Sequence, residues 1–262
     1  MPTAELSTAR LHYELIGEGP PLLIINGTGS DLRRRPNVLD GPAVEEFTVL
    51  TYEHRGLGRS RAHDVDAQPA MDDFGADALE LADHLGWDRF ALLGISFGGM
   101  VAQHTAGRAG DRITRLVLAC TSAGGSGGAS APLHEVYAQP GPERVRRMVA
   151  LSDLRTHTDA ARRDAMVAFS LGMLAKEDPE TLPGITRQLE ARRHHDTWDD
   201  LPALTTPTLV AGGRHDGIAP LANLEALAGR IPGAQMRVFE GGHAFFLDDP
   251  AAWPAMLAFL RP

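Results

Sequence analysis

The 262-residue chain is 43% hydrophobic and 23% charged, which suits one large globular domain with a buried core. Its formal net charge of −9 excludes a general nucleic-acid binder, since no global positive field attracts phosphates. A single cysteine, Cys120, excludes an internal disulfide framework and fits a reducing compartment.

Met1 to Leu15 mixes polar and charged residues and lacks the apolar stretch of a secretory signal. Leu22-Leu23-Ile24-Ile25 is too short to span a bilayer, so a soluble cytoplasmic protein is expected. Apolar runs alternate with amphipathic segments, the pattern of a mainly parallel sheet. Predicted strands are Arg10 to Ile16, Leu22 to Ile25, Thr48 to Tyr52, Phe90 to Leu93, Arg115 to Cys120, Thr208 to Ala211 and Gln235 to Phe239. Phe74, Ala78, Leu81, Ala82 and Leu85 repeat at helical spacing within Asp72 to Leu85. Asn223 to Ala228 and Trp253 to Leu260 read as further covering helices, the last with Asp249 as N-cap and Pro250 at its first position.

The alternation breaks after Thr121. Gly124-Gly125-Ser126-Gly127-Gly128 reads as a flexible connection, and strand signals resume only at Thr208. The interval carries Val145, Met148, Val149, Met166, Phe169 and Met173 as apolar positions of helices, read as core packing rather than an acyl pocket. An inserted helical cap over residues 123–201, with a core of 1–122 and 202–262, fits better than two domains in tandem. The cap is rich in arginine, and one or two guanidinium groups are candidates for a substrate carboxylate. Solvated ion pairs account for the others.

Gly94-Ile95-Ser96-Phe97-Gly98-Gly99 lies between a predicted strand and a predicted helix. Gly-x-Ser-x-Gly in that setting describes a nucleophile elbow, a strained turn presenting a serine hydroxyl at a helix N-terminus. Serine needs a base, and the base an orienting acid; in chains with this elbow they follow in the order acid, then His. Asp216 follows the strand ending at Ala211, where open α/β sheets build their sites. His243 follows the last predicted strand in Glu240-Gly241-Gly242-His243, and two glycines let that loop approach closely. Ten other histidines compete, but only His243 has both the order and the loop setting, and His194, His195 and Asp196 lack a further metal-ligand pattern. Oxyanion donors are expected from the backbone N–H groups of Phe97 and of Thr28, in Asn26-Gly27-Thr28-Gly29-Ser30-Asp31.

With these residues in place, the chain resembles the α/β-hydrolase superfamily over nearly its whole length. Asn26-Gly27 stands where many members carry His-Gly, and Arg55-Gly56-Leu57-Gly58-Arg59-Ser60 resembles their Arg-Gly-x-Gly-x-Ser turn, with Arg55 and Ser60 ordering the loop near the site. The resemblance implies an α/β-hydrolase fold with a mostly parallel eight-stranded sheet, a helical cap and the triad Ser96, Asp216 and His243. The oxyanion loop and elbow together are similar to 3-oxoadipate enol-lactonase-like hydrolases, which implies a lactone or ester of a small acid. Phe97 departs from the methionine common there, and Arg33-Arg34-Arg35 follows the oxyanion loop. The expected activity is therefore a serine hydrolase acting on a small-molecule ester or lactone, without cofactor or metal and without nucleic-acid or membrane partners. A homo-oligomer stays open. Carbon–carbon cleavage of a β-diketone, perhydrolysis, and a non-catalytic ligand-binding role on the same scaffold are the alternatives.

Overall fold

A computed structural model describes residues 2–175 and 178–262. The elements in chain order are β1 (Thr3–Glu5), β2 (Ala9–Ile16), β3 (Pro21–Ile25), β4 (Thr48–Tyr52), β5 (Arg61–Ala62), α1 (Met71–His84), β6 (Phe90–Ile95), α2 (Phe97–Ala109) and β7 (Ile113–Ala119). There follow α3 (Leu133–Tyr137), α4 (Gly141–Ser152), α5 (Ala160–Leu174) and α6 (Leu182–Arg193). The chain then closes with β8 (Thr208–Gly213), α7 (Leu221–Arg230), β9 (Gln235–Phe239), α8 (Phe245–Asp248) and α9 (Ala252–Leu260).

The strands form one sheet of order β1-β2-β4-β3-β6-β7-β8-β9, with β5 paired to β2. From β4 to β9 every pairing is parallel, whereas β1, β4 and β5 pair with β2 antiparallel. The expected mostly parallel α/β sheet is present, but mixed and nine-stranded rather than eight-stranded. The sequence reading passed over β1 and β5, of three and two residues, because neither is long enough for an alternating pattern to register.

The central strands are apolar on both faces because helices cover both. Along β3, Leu23 and Ile25 join one core with Phe74, Leu81 and Val101, while Leu22 and Ile24 join the other with Met256, Leu257 and Leu260. Alternate residues of β7 divide likewise, Leu116 and Leu118 against Val117 and Ala119. Burying each such side chain stabilises the fold by about 1.5–3 kcal/mol, which fixes the strand register and so the height at which each loop leaves the sheet.

Two local expectations are corrected. Helix α9 begins at Ala252 with Ala251 as its cap, not at Pro250 after an Asp249 cap. The Asp249 carboxylate accepts from Ala251 N–H and Glu240 N–H, so it organises the turn before the helix and ties it to the loop after β9. The Gly124–Gly128 run is not a loose connection: Gly124 forms a bridge with Asp196, and Gly127 packs beside Trp198. Its glycines serve positive φ and close approach at Gly124. No helix among the described residues is long and apolar enough to cross a membrane.

Candidate active site

Ser96 leaves β6 with φ 58° and ψ −117°, a left-handed conformation unfavourable to a residue with a Cβ. Close packing holds it there. A Cβ at Gly98 would overlap the Ile25 carbonyl, and one at Gly94 would overlap Gly98 and Ala102. The Ser96 N–H donates to Ala119 O at 2.9 Å, which stitches the turn to β7.

The strand ends bring the three predicted side chains together. Ser96 Oγ lies 2.8 Å from His243 Nε2, and His243 Nδ1 lies 2.7 Å from Asp216 Oδ2. Asp216 is buried, and its other oxygen accepts from the N–H groups of Ile218 at 2.7 Å and Ala219 at 3.0 Å. That geometry fixes the carboxylate and hence the imidazole plane. With Nδ1–H donated to Asp216, Nε2 is the acceptor that faces the hydroxyl.

Of the two predicted oxyanion donors, Phe97 directly follows Ser96, and Thr28 follows Gly27, where an added Cβ would come within 3.9 Å of Ser96 Oγ. Phe97 is the first residue of α2, where a helix has no internal acceptor for the N–H. Among the described residues, the N–H of neither Phe97 nor Thr28 is donated to a protein acceptor. The Thr28 loop is pinned on both sides. Asn26 Nδ2 donates to Thr51 Oγ1 at 2.7 Å, and buried His54 donates Nε2–H to Asn26 O at 3.2 Å. Burial pushes the His54 imidazole down to about 4, so it stays neutral. Its ring packs edge-on against Phe97 and Phe74. Beyond Thr28, Gly29 N–H donates to Gln188 Oε1 of α6 at 2.9 Å, and Leu32 N–H to Glu53 Oε1 at 3.1 Å.

Glu53 is the organising residue that sequence reading missed. Its fully buried carboxylate also accepts from Arg59 Nη2 at 2.7 Å and from Arg59 N–H. Ser60 fits its expected ordering role, donating to Glu53 O and accepting from His12 N–H. Arg55 instead secures the turn to α1 through Asp77 and to Thr8. Gln188 was missed because a glutamine in a helix gives no periodic or spacing signal.

The helical segment between β7 and β8 is sewn to the site loops by main-chain bonds at the end of α4. His243 N–H donates to Ser152 O at 2.6 Å, Gly217 N–H to Leu151 O at 2.9 Å, and Leu154 N–H to His215 O at 2.9 Å. Next to them, Arg155 and Arg162 share Asp153 and reach Asp248. Arg146, Arg163 and Arg193 also pair with acidic neighbours, and Arg144 lies over the Tyr137 ring. Arg192 differs: it is buried, and it donates to Ala131 O at 2.9 Å and Ser130 Oγ at 2.6 Å. Met148 packs on a small core with Leu57, Leu133 and Ile185, whereas Phe169 of α5 is exposed rather than core.

His194 and His195 part company. His194 faces Glu190, whereas His195 donates to Ser122 O and meets His104, which is held by Asp72.

A search by family model matches residues 20–135 to the alpha/beta hydrolase fold. A polyketide synthase of Burkholderia thailandensis is 33% identical over 93% of this chain, which spans only 12% of that protein's length. A crystal structure of a hydrolase from Pseudomonas aeruginosa is 30% identical, with 99% of this chain and 98% of that one covered and a TM-score of 0.79. The enol-lactonase from Burkholderia xenovorans is 26% identical with 99% of both chains covered, again at a TM-score of 0.79. Sheet order, the turn at Ser96 and whole-length likeness to such structures agree: the chain belongs to the α/β-hydrolase fold family and is a hydrolase.

Proposed function

We propose that the protein hydrolyses a carboxylic ester or lactone of a small organic acid through an acyl-enzyme on Ser96. The observation that carries this reading is the unbroken hydrogen-bonded line Ser96–His243–Asp216 beside two undonated amides. The whole-length likeness to an enol-lactonase favours a small ester or lactone over other acyl groups.

In the first half-reaction Ser96 Oγ attacks the carbonyl carbon and its proton passes to His243 Nε2. Asp216 holds the resulting imidazolium through Nδ1–H. The carbonyl electrons move to oxygen, where the N–H groups of Phe97 and Thr28 stabilise the oxyanion. Collapse expels the alkoxide, which takes the proton back from His243. In a lactone that alkoxide stays tethered to the acyl group. Water, deprotonated by the same imidazole, then releases the acid and restores Ser96.

Ser96→Ala is expected to lose about 10³-fold or more in kcat on any ester the wild type turns over. A panel of p-nitrophenyl esters, lactones and β-diketones with product analysis tests both bond class and mechanism. Retained turnover in Ser96→Ala overturns the mechanism. Turnover of a β-diketone to an acid and a ketone, with every ester and lactone left intact, overturns the bond class. Absence of Ser96 labelling by a fluorophosphonate in the folded protein points instead to a binding role.

A further inference from the structure

Burying a guanidinium without a carboxylate partner is costly, because the neutral acceptors around it replace only part of its hydration. Arg192 is in that position. Its side chain is drawn from α6 into the interior, and among the described residues no acidic group lies within ion-pair distance. Its direct partners lead elsewhere. Arg192 Nη1 donates to Ala131 O at 2.9 Å, Ala131 N–H donates to Ile218 O at 2.8 Å, and Ile218 N–H donates to Asp216 Oδ1 at 2.7 Å. The cation and the carboxylate are thus tied to the same two residues, Ala131 and Ile218, whose main chains also bond to each other.

On the reading that Ser96, His243 and Asp216 act together, we infer that Arg192 is a positioning residue for this triad: its buried charge, braced on Ala131 and Ser130, balances the Asp216 carboxylate and sets how readily His243 takes up a proton. Burial pushes the Arg192 guanidinium down to about 10, and the Asp216 charge acts against that shift, so the cation persists at neutral pH. Two of the titratable groups near them, His195 and Cys120, are uncharged there. His195 is driven down to about 3 by burial, and the Cys120 thiol well up by burial and by Asp216. His134 and Arg193 share with Arg192 a cavity of about 120 Å³, and Arg193 is already beside Glu190. Across the site, Asp153 stands next to the His243 loop but is matched by Arg155 and Arg162. His215 of the neighbouring loop faces Glu240. Arg192 is therefore the buried positive charge coupled to Asp216.

The sign follows from electrostatics. Without Arg192 the Asp216 charge is less opposed, the imidazolium is favoured, and the base is lost at higher pH. In Arg192→Met the acid limb of the kcat/KM profile, measured on a p-nitrophenyl ester, is expected to move up by about 0.5–1 pH unit. Arg192→Lys keeps the charge but not the forked pair of hydrogen bonds, so its limb stays at the wild-type position although its melting temperature falls. An NMR titration of the His243 imidazole, assigned with His243→Gln, reads the same shift without turnover. It therefore decides the inference even if Ser96→Ala shows the proposed mechanism to be wrong. A wild-type titration in Arg192→Met, or equal movement in the Lys and Met variants, overturns the role given to the charge.

Discussion

At the scale of single residues, the site combines strain, tight packing and an unsatisfied polar atom. Among the described residues Thr28 Oγ1 is buried without a hydrogen-bond partner, although its N–H is the proposed oxyanion donor. An unmet buried hydroxyl is destabilising, and valine has nearly the same shape without it. Thr28→Val is therefore expected to leave the unfolding free energy unchanged or raise it by up to about 1 kcal/mol, measured by chemical denaturation. A loss of stability on that scale would mean that the hydroxyl has a partner. Ser96, Asp216 and His243 were legible because each sits in a loop after a strong apolar strand, in a motif with a fixed order. Glu53 and Gln188 were not, because their importance lies in what they touch across 21 and 159 residues of sequence. No local pattern encodes such distances.

At the scale of elements, the end of α6 is fastened to the core by side chains as well as backbone. His195 donates to Ser122 O after β7, and Thr197 donates Oγ1–H to Gln103 Oε1 of α2 and its N–H to Ala123 O. Burial holds His195 down to about 3 from its ordinary 6.5. The unfolded chain therefore binds this proton first as pH falls. The stability conferred by the neutral imidazole is complete above about 6.5 and drains away towards about 3. Over that window His195→Gln is expected to show a stability slope shallower than wild type by about 1.4 kcal/mol per pH unit, from urea titrations at several pH values. Parallel slopes would show that His195 is charged in the folded protein. The helical character of this segment was readable from its apolar spacing, but its attachment was not: Gly124–Gly128 read as loose because glycine signals a permitted conformation without saying what fixes it.

At the scale of the whole molecule, stability is graded from the sheet outward. The central strands β3, β6 and β7 are buried on both faces, whereas α5 has no buried residue along its 15 positions. Native-state hydrogen exchange is expected to be slowest in β3, β6 and β7 and to begin in α5. Equal protection of α5 and the central strands would contradict this grading. The architecture was readable because double-faced burial writes near-continuous apolar runs, while the antiparallel edge at β1 and β5 was hidden by its brevity. The stitching at the end of α4 has a further consequence, for how the molecule can change over generations. In those three bonds Leu151, Ser152 and Leu154 meet the Asp216 and His243 loops through main-chain atoms alone, so a change of side chain would spare the bonds. A change of length would not: one residue gained or lost at 151–154 would unseat both loops at once. The register of this junction is therefore what must be held, and Leu151, Asp153 and Leu154 add side-chain contacts to it, while the exposed helix α5 is free to diversify.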